Sequence, residues 1–157
     1  MAKLTITRGL PASGKSTWAE EVRSADPDAV RVVTMDDIRV AIGSRFDQGD
    51  ESIVQSIRDF TIERYLEKGY HVISADTNLP DRVVNRLVQI AERSVDEGVR
   101  RCRYLTVPVE IKDFRDVPLE ICLERNLERW YSGDRKVPDE AIISMHDRFV
   151  KGHSRTE

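Results

Sequence analysis

The sequence predicts an α/β sandwich with a mainly parallel central sheet and helices on both faces. Three observations carry that prediction. Short apolar runs of strand character alternate with stretches of helical spacing along nearly the whole chain. The first apolar run leads directly into a glycine-punctuated loop and then a helix, the order that a phosphate-binding loop requires. Carboxylates stand just beyond two later apolar runs, and ligands in such folds sit at the carboxyl ends of the strands.

Residues 3–7 alternate, with Leu4 and Ile6 on one face, and form a first strand. Trp18, Ala19 and Val22 give residues 16–24 a helical stripe. Asp26-Pro27-Asp28 is a turn. The β-branched run 30–34 is a second strand, after which Asp36 stands as the N-cap of a short helix carrying Ile38, Ala41 and Ile42 and stopping near Gly43. Ile53, Ile57, Phe60, Ile62, Tyr65 and Leu66 mark a longer helix closed by Gly69. Residues 70–75 read as a buried strand. Pro80 opens a helix with Val83, Leu87, Ile90 and Ala91 on one stripe, ending near Gly98. A fourth strand is expected over 101–109, and Pro118 opens a helix carrying Ile121, Cys122 and Leu127. Residues 130–137 make a polar loop around Gly133. Pro138 starts a last helix with Ile142, Ile143, Met145 and Phe149, and residues 152–157 are a frayed tail.

A chain of 157 residues fits one domain and buries a sizeable core without disulfides. Its net charge of −3 excludes a strongly basic nucleic-acid coating protein, but leaves room for a local basic cleft. Cys102 and Cys122 form neither a C-x-x-C pair nor a zinc spacing and read as reduced thiols. The N-terminus lacks the apolar stretch of a signal peptide, and no apolar run approaches the roughly 18 residues of a membrane span. The default location is therefore the cytoplasm. His71, His146 and His153 show no spacing for a metal or a triad.

Gly9-Leu10-Pro11-Ala12-Ser13-Gly14-Lys15-Ser16-Thr17 matches G-x-x-x-x-G-K-[ST] at every position. Gly9 and Gly14 permit backbone angles that a β-carbon forbids. The loop then turns its N–H groups inward as an anion nest, and the following helix adds its positive end. Lys15 places a cation against the β- and γ-phosphates, and the Ser16 hydroxyl ligates Mg²⁺. ATP or another nucleoside triphosphate, with Mg²⁺, is the predicted ligand.

Three further groups surround this loop. Asp36 lies beyond the second strand, where a carboxylate accepts the proton of an acceptor hydroxyl; capping the helix is its alternative role. Asp37 reads as a first-turn acid complementing the helix dipole. Arg39, three residues on from Asp36, shares its helical face. Asp76 follows the third strand in a Walker B manner, as a ligand to Mg²⁺ or its water; the other reading is that Asp76 and Asn78 shape the turn before Pro80. Arg125 and Arg129, four apart on one face, lead into Arg135 and Lys136, a cationic lid over about 125–138 whose arginines stabilise the transferring phosphate. Trp130 stacks on a base or covers the core.

With GLPASGKSTWA at 9–19, DDIR at 36–39, ISADTNL at 73–79 and RNLER at 125–129 in this order, the chain resembles the kinase domain of bacteriophage-type polynucleotide 5′-hydroxyl kinases, end-healing enzymes of nucleic-acid repair. The resemblance spans nearly the whole chain. It implies a P-loop kinase fold with a small helical lid, and Mg²⁺-dependent transfer from ATP to the 5′-OH end of DNA or RNA. Under it, Lys15 and Ser16 hold the donor phosphates and metal, and Asp36 is the general base. Arg39 grips an acceptor phosphate or the base carboxylate. Asp76 and Thr77 shape the acceptor site, and Arg125 and Arg129 are the lid arginines. The D-x-D-x-T phosphatase motif of the larger members does not occur in these residues. A small-molecule P-loop kinase and a nucleotide-dependent switch are the competing readings.

Overall fold

The protein is described by a computed structural model over residues 1–44, 49–94, 106–133 and 136–152. Among these residues, strands β1 (Lys3–Arg8), β2 (Val30–Val33), β3 (His71–Ser74) and β4 (Val109–Asp113) form one sheet in the order β2-β3-β1-β4. Every pairing is parallel. The helices are α1 (Lys15–Ala25), α2 (Met35–Ile42), α3 (Glu51–Glu67), α4 (Asp81–Arg93), α5 (Leu119–Tyr131) and α6 (Asp139–Phe149).

Strand alternation sorts the core into two layers, as a period of two requires. Leu4, Ile6, Val33 and Val72 pack with Ile62 and Leu66 of α3 and with Leu87 and Ile90 of α4. Val30 and Ile73 point the other way, onto Ala19, Trp18 and Val22 of α1. The expected sandwich is therefore present. A third cluster joins Leu10 of the first loop and Leu79 of the loop after β3 to Cys122 of α5 and Ile142 of α6. It fixes the two C-terminal helices against the carboxyl edge of the sheet. Because the strands are parallel and in register (Ile6 beside Ser74, Val33 beside Ser74, Arg8 beside Asp113), all four loops leaving them open on that edge.

Several expectations need correction. Among the described residues the fourth strand is Val109–Asp113; of the expected 101–109, residues 106–108 precede it and 101–105 lie outside the described residues. Pro108 has no N–H to give a ladder, though its carbonyl accepts from Leu4 at 2.9 Å. The strand continues through Glu110 and Lys112, whose charges hid it; Glu110 pairs with Lys3. The cap of α2 is Thr34, whose hydroxyl accepts from the Asp37 N–H at 3.0 Å, and not Asp36. The inward stripe of α3 is Val54, Arg58, Ile62 and Leu66, while Ile53 and Phe60 are exposed. Helix α5 runs through Trp130 and Tyr131, so the polar loop starts at Ser132. Trp130 is 58% exposed and does not cover the core. α4 ends at Arg93; Gly98, Cys102, Arg135, His153 and the rest of the predicted tail fall outside the described residues, save Gly152, which lies in a turn.

Candidate active site

The phosphate loop takes its shape from three positions. Ala12 and Gly14 adopt positive φ, 62° and 101°, and Gly14 caps α1. Gly9 does not need an unusual angle. Its role is room: a β-carbon there would lie 2.7 Å from Phe114 Cβ and 2.8 Å from Ser13 Oγ. The expectation that both glycines serve backbone angles thus holds for Gly14 and is corrected for Gly9. The Gly9 N–H donates to the Thr77 carbonyl at 3.1 Å, joining the loop after β1 to the loop after β3. Pro11 is half-buried, Ser13 is buried, and Ser16 and Thr17 are exposed on the first turn of α1.

Lys15 is 6% exposed and lies along its own loop. Its ammonium donates to the Leu10 carbonyl at 2.5 Å and to Ser13 Oγ at 3.2 Å. Burial lowers its pKa from 10.5 to about 8. The Cys122 thiol opposes that shift, the positive charge of Arg129 adds to it, and Asp76 opposes it. These groups arrive from α5 and from the loop after β3, so Lys15 stands where three segments converge.

Asp36 opens α2 with its side chain 74% exposed, while that of Arg39 is only 9% exposed. Arg39 reaches Asp36 Oδ1 at 2.6 Å and holds Glu51 of α3 in a two-point fork, Nε to Oε1 and Nη2 to Oε2, each at 2.7 Å. The Arg39 pKa is raised, chiefly by the Glu51 hydrogen bond. The Asp36 carboxylate, one of the two partners named for Arg39, lies within its reach.

In the loop after β3 the turn falls to Asn78 and a link to α2 falls to Asp76. Asn78, buried and at φ 42°, makes the turn: its amide donates to the Thr7 carbonyl at 3.0 Å and the Ser74 carbonyl at 3.2 Å. Thr7 Oγ1 returns a bond to the Asp76 carbonyl at 3.0 Å, and Arg8 donates to the carbonyls of Asn78 and Leu79. Asp76 itself points across to α2, where its Oδ1 accepts from the Met35 N–H at 2.8 Å. Burial raises the Asp76 pKa, and that hydrogen bond and the nearby Arg58 charge oppose the rise. Its second oxygen, Oδ2, is buried without a hydrogen-bond partner.

That acceptor, 3.9 Å from Arg58 Nη1, belongs to a carboxylate within electrostatic reach of Lys15, and with the Ser16 hydroxyl exposed at the helix start the set suits a hydrated divalent cation. Among the described residues no group of three or more His, Cys, Asp or Glu side chains is arranged for a metal. A cation here would take most of its ligands from phosphate and water.

Arg125 lies against the loop, with Nη1 3.9 Å from the position of a Gly14 β-carbon. Arg129 reaches Lys15 electrostatically. Lys136 instead pairs with Asp139 at 3.3 Å. Sequence reading missed Glu51, Arg58 and Asn126. Asn126 is 1% exposed and stitches α5 to the start of α6, donating to the Val137 carbonyl at 2.7 Å and accepting from the Val137 N–H at 3.1 Å. Its signal was in view, inside the RNLER segment, but the two arginines drew the attention.

The profile of the AAA domain family matches residues 4–151. The chain belongs to that family. This AAA domain aligns with a chain of the Pnkp1/Rnl/Hen1 RNA repair complex at a TM-score of 0.76 and 20% identity, over 99% of this chain and 47% of that one. It also aligns with a chain of a second Pnkp1/Rnl/Hen1 structure at a TM-score of 0.65 and 24% identity, over 79% and 38% of the two chains. It spans less than half the length of either structural relative. At these identities the likeness is one of fold alone, and the expected α/β fold with a parallel central sheet is present. No curated protein matches the sequence. No described helix of this AAA domain is long and apolar enough to cross a membrane.

Proposed function

We propose that this AAA domain is a polynucleotide 5′-hydroxyl kinase that transfers the γ-phosphate of ATP to a 5′-OH end of DNA or RNA, in nucleic-acid end healing. The observation that carries the reading is the link between the two halves of the site. Asp76 leaves the strand beside the phosphate loop and caps α2 at Met35, one residue before the exposed Asp36. Donor and acceptor groups are thereby held in one frame, as in-line transfer requires.

In this reading the loop from Gly9 to Thr17 binds the triphosphate through the N–H groups of Ala12 and of Gly14 to Thr17 and through the Lys15 ammonium, which exchanges the Leu10 carbonyl for phosphate oxygens. Ser16, and Asp76 through a water, would hold Mg²⁺, whose charge neutralises the phosphate oxygens. Asp36 accepts the proton of the acceptor hydroxyl, whose oxygen forms the new bond to the γ-phosphorus. The bond from that phosphorus to the β–γ bridging oxygen breaks, and ADP leaves. Arg39 orients the Asp36 carboxylate, and Thr77 helps shape the acceptor side. Arg125 and Arg129, on a lid of residues 125–138, meet the charge that develops on the transferring group. The exposure of Asp36 supports a polymer end as acceptor over a small molecule that the site would have to enclose. The fold shared with a chain of an RNA repair complex supports the same class.

The test is incubation with γ-labelled ATP, Mg²⁺ and a short 5′-OH oligonucleotide, as DNA and as RNA. Label on the 5′ end, lost in Lys15→Ala and Asp36→Asn, is expected. ATP binding without label on either strand would return the assignment to a small-molecule kinase or a nucleotide switch.

A further inference from the structure

Two charged side chains of α3, Arg58 and Asp59, are buried and have no part in the mechanism above. Arg58 is 1% exposed, between Val54 and Ile62 and beside the buried Asp59. If packing were all that mattered, an apolar residue would serve that position better. Its guanidinium is divided between two directions. Nε and Nη2 donate to Asp59 Oδ1 at 3.0 and 2.7 Å, and Arg86 takes the other oxygen of Asp59. Nη1 faces the transfer site, 3.5 Å from Met35 Sδ and 3.9 Å from Asp76 Oδ2.

The 3.9 Å separation is informative. It is close enough for the charges to attract, yet too long for a hydrogen bond. Asp59, itself fixed by Arg86, holds the guanidinium back. Asp76 Oδ2 therefore keeps its lone pairs, while the charge of the buried carboxylate is balanced. Arg58 also touches Met35, the residue that Asp76 caps and the neighbour of Asp36.

We infer that Arg58 is a positioning residue for transfer: anchored at a stand-off by Asp59, it holds the Asp76 carboxylate on the Met35 N–H and so keeps α2 and Asp36 aimed at the phosphate loop. This rests on the kinase reading, and the test separates the two. Wild type, Arg58→Met, Arg58→Lys, Asp76→Asn and the double variant Arg58→Met/Asp76→Asn are compared for melting temperature, ATP affinity, kcat and KM for the 5′-OH oligonucleotide, and the NMR shift and hydrogen exchange of the Met35 amide. Arg58→Met is expected to lower kcat roughly 10- to 100-fold, with ATP affinity within about threefold and the Met35 amide shifted and less protected. Arg58→Lys should recover part of both. The double variant should fall within about threefold of Asp76→Asn, because the two residues act along one route. A kcat within twofold of wild type, a double variant that multiplies the single losses, or an unchanged Met35 amide would each overturn the inference. Where Arg58→Met does not fold, Arg58→Lys decides by the same readouts: one ammonium cannot hold Asp59 and face Asp76 together, so wild-type kcat and Met35 amide in that variant count against it. Should the wild type label no oligonucleotide, the kinase reading fails, and the Met35 amide still decides whether Arg58 acts through Asp76.

Discussion

Raising the pH from about 7 to about 9 should weaken ATP binding to the free chain about tenfold, and Lys15 is the cause. The ammonium is buried against its own loop, and burial, opposed by Cys122 and reinforced by Arg129, brings its pKa to about 8. It is therefore charged below that pH and neutral above it. About nine-tenths of the chains carry the charge at pH 7 and about a tenth at pH 9, so a ligand that selects the charged form loses about tenfold in apparent affinity. Nucleotide binding near pH 9 should accordingly take up close to one proton. Calorimetry in buffers of different ionisation enthalpy measures both quantities. Lys15→Arg, which does not titrate in this range, should show neither effect, and Arg129→Met should move the break to higher pH. The same shift has a stability consequence of defined sign. Between about pH 8 and 10.5 the unfolded chain retains the proton that the folded chain has released, so this group's contribution to stability rises with pH. At about 1.4 kcal/mol per pH unit, the rise amounts to about 3 kcal/mol. Affinity flat to pH 10 with no proton uptake would refute the argument, since Lys15 would then hold its charge throughout.

Other perturbations test the rest of the site. Asp36→Asn should lower kcat by roughly 10²–10⁴-fold with ATP affinity nearly unchanged, whereas Asp37→Asn, altering a first-turn acid, should leave kcat within a few-fold; the reverse order in a labelling assay would move the base to Asp37. Gly9→Ala forces a β-carbon into Phe114 and Ser13 and should cost about 1–3 kcal/mol together with nucleotide binding; an unchanged melting temperature counts against the close approach. Arg129→Ala should slow single-turnover transfer roughly 10²-fold or more without lowering the melting temperature, and an unaltered rate would leave it a surface charge. Asn126→Ala strands the Val137 N–H and carbonyl and should cost about 1–3 kcal/mol in denaturant unfolding.

How much was legible in advance follows from how local each signal is. The phosphate loop was readable because its chemistry is contiguous: a strand, a glycine turn and a helix start follow one another in the chain, and the structure places Lys15 and Ser16 where that order requires. The alternation of elements gave the parallel sandwich for the same reason. Errors came where a neighbour in space overrides the local pattern. The fourth described strand runs past the expected end at 109 through charged Glu110 and Lys112, because an edge strand tolerates charges that a central one does not. The inward stripe of α3 was misplaced because Arg58 counts as a surface residue until Asp59 and Asp76 are seen around it.

The amino-acid sequence by itself determined the fold class, the phosphate loop and the carboxylate and arginines brought to one edge of the sheet, since each depends on residues within a few positions of one another. Only the tertiary structure decided what those groups hold. Thr34, not Asp36, caps α2, which leaves the Asp36 carboxylate to Arg39; Glu51 and Arg58 reach the site from α3; and in the loop after β3 Asn78 makes the turn while Asp76 holds the Met35 N–H. These are contacts between segments separated by many residues in the chain. Their geometry is set by how helices pack on a twisted parallel sheet, and no local periodicity encodes it.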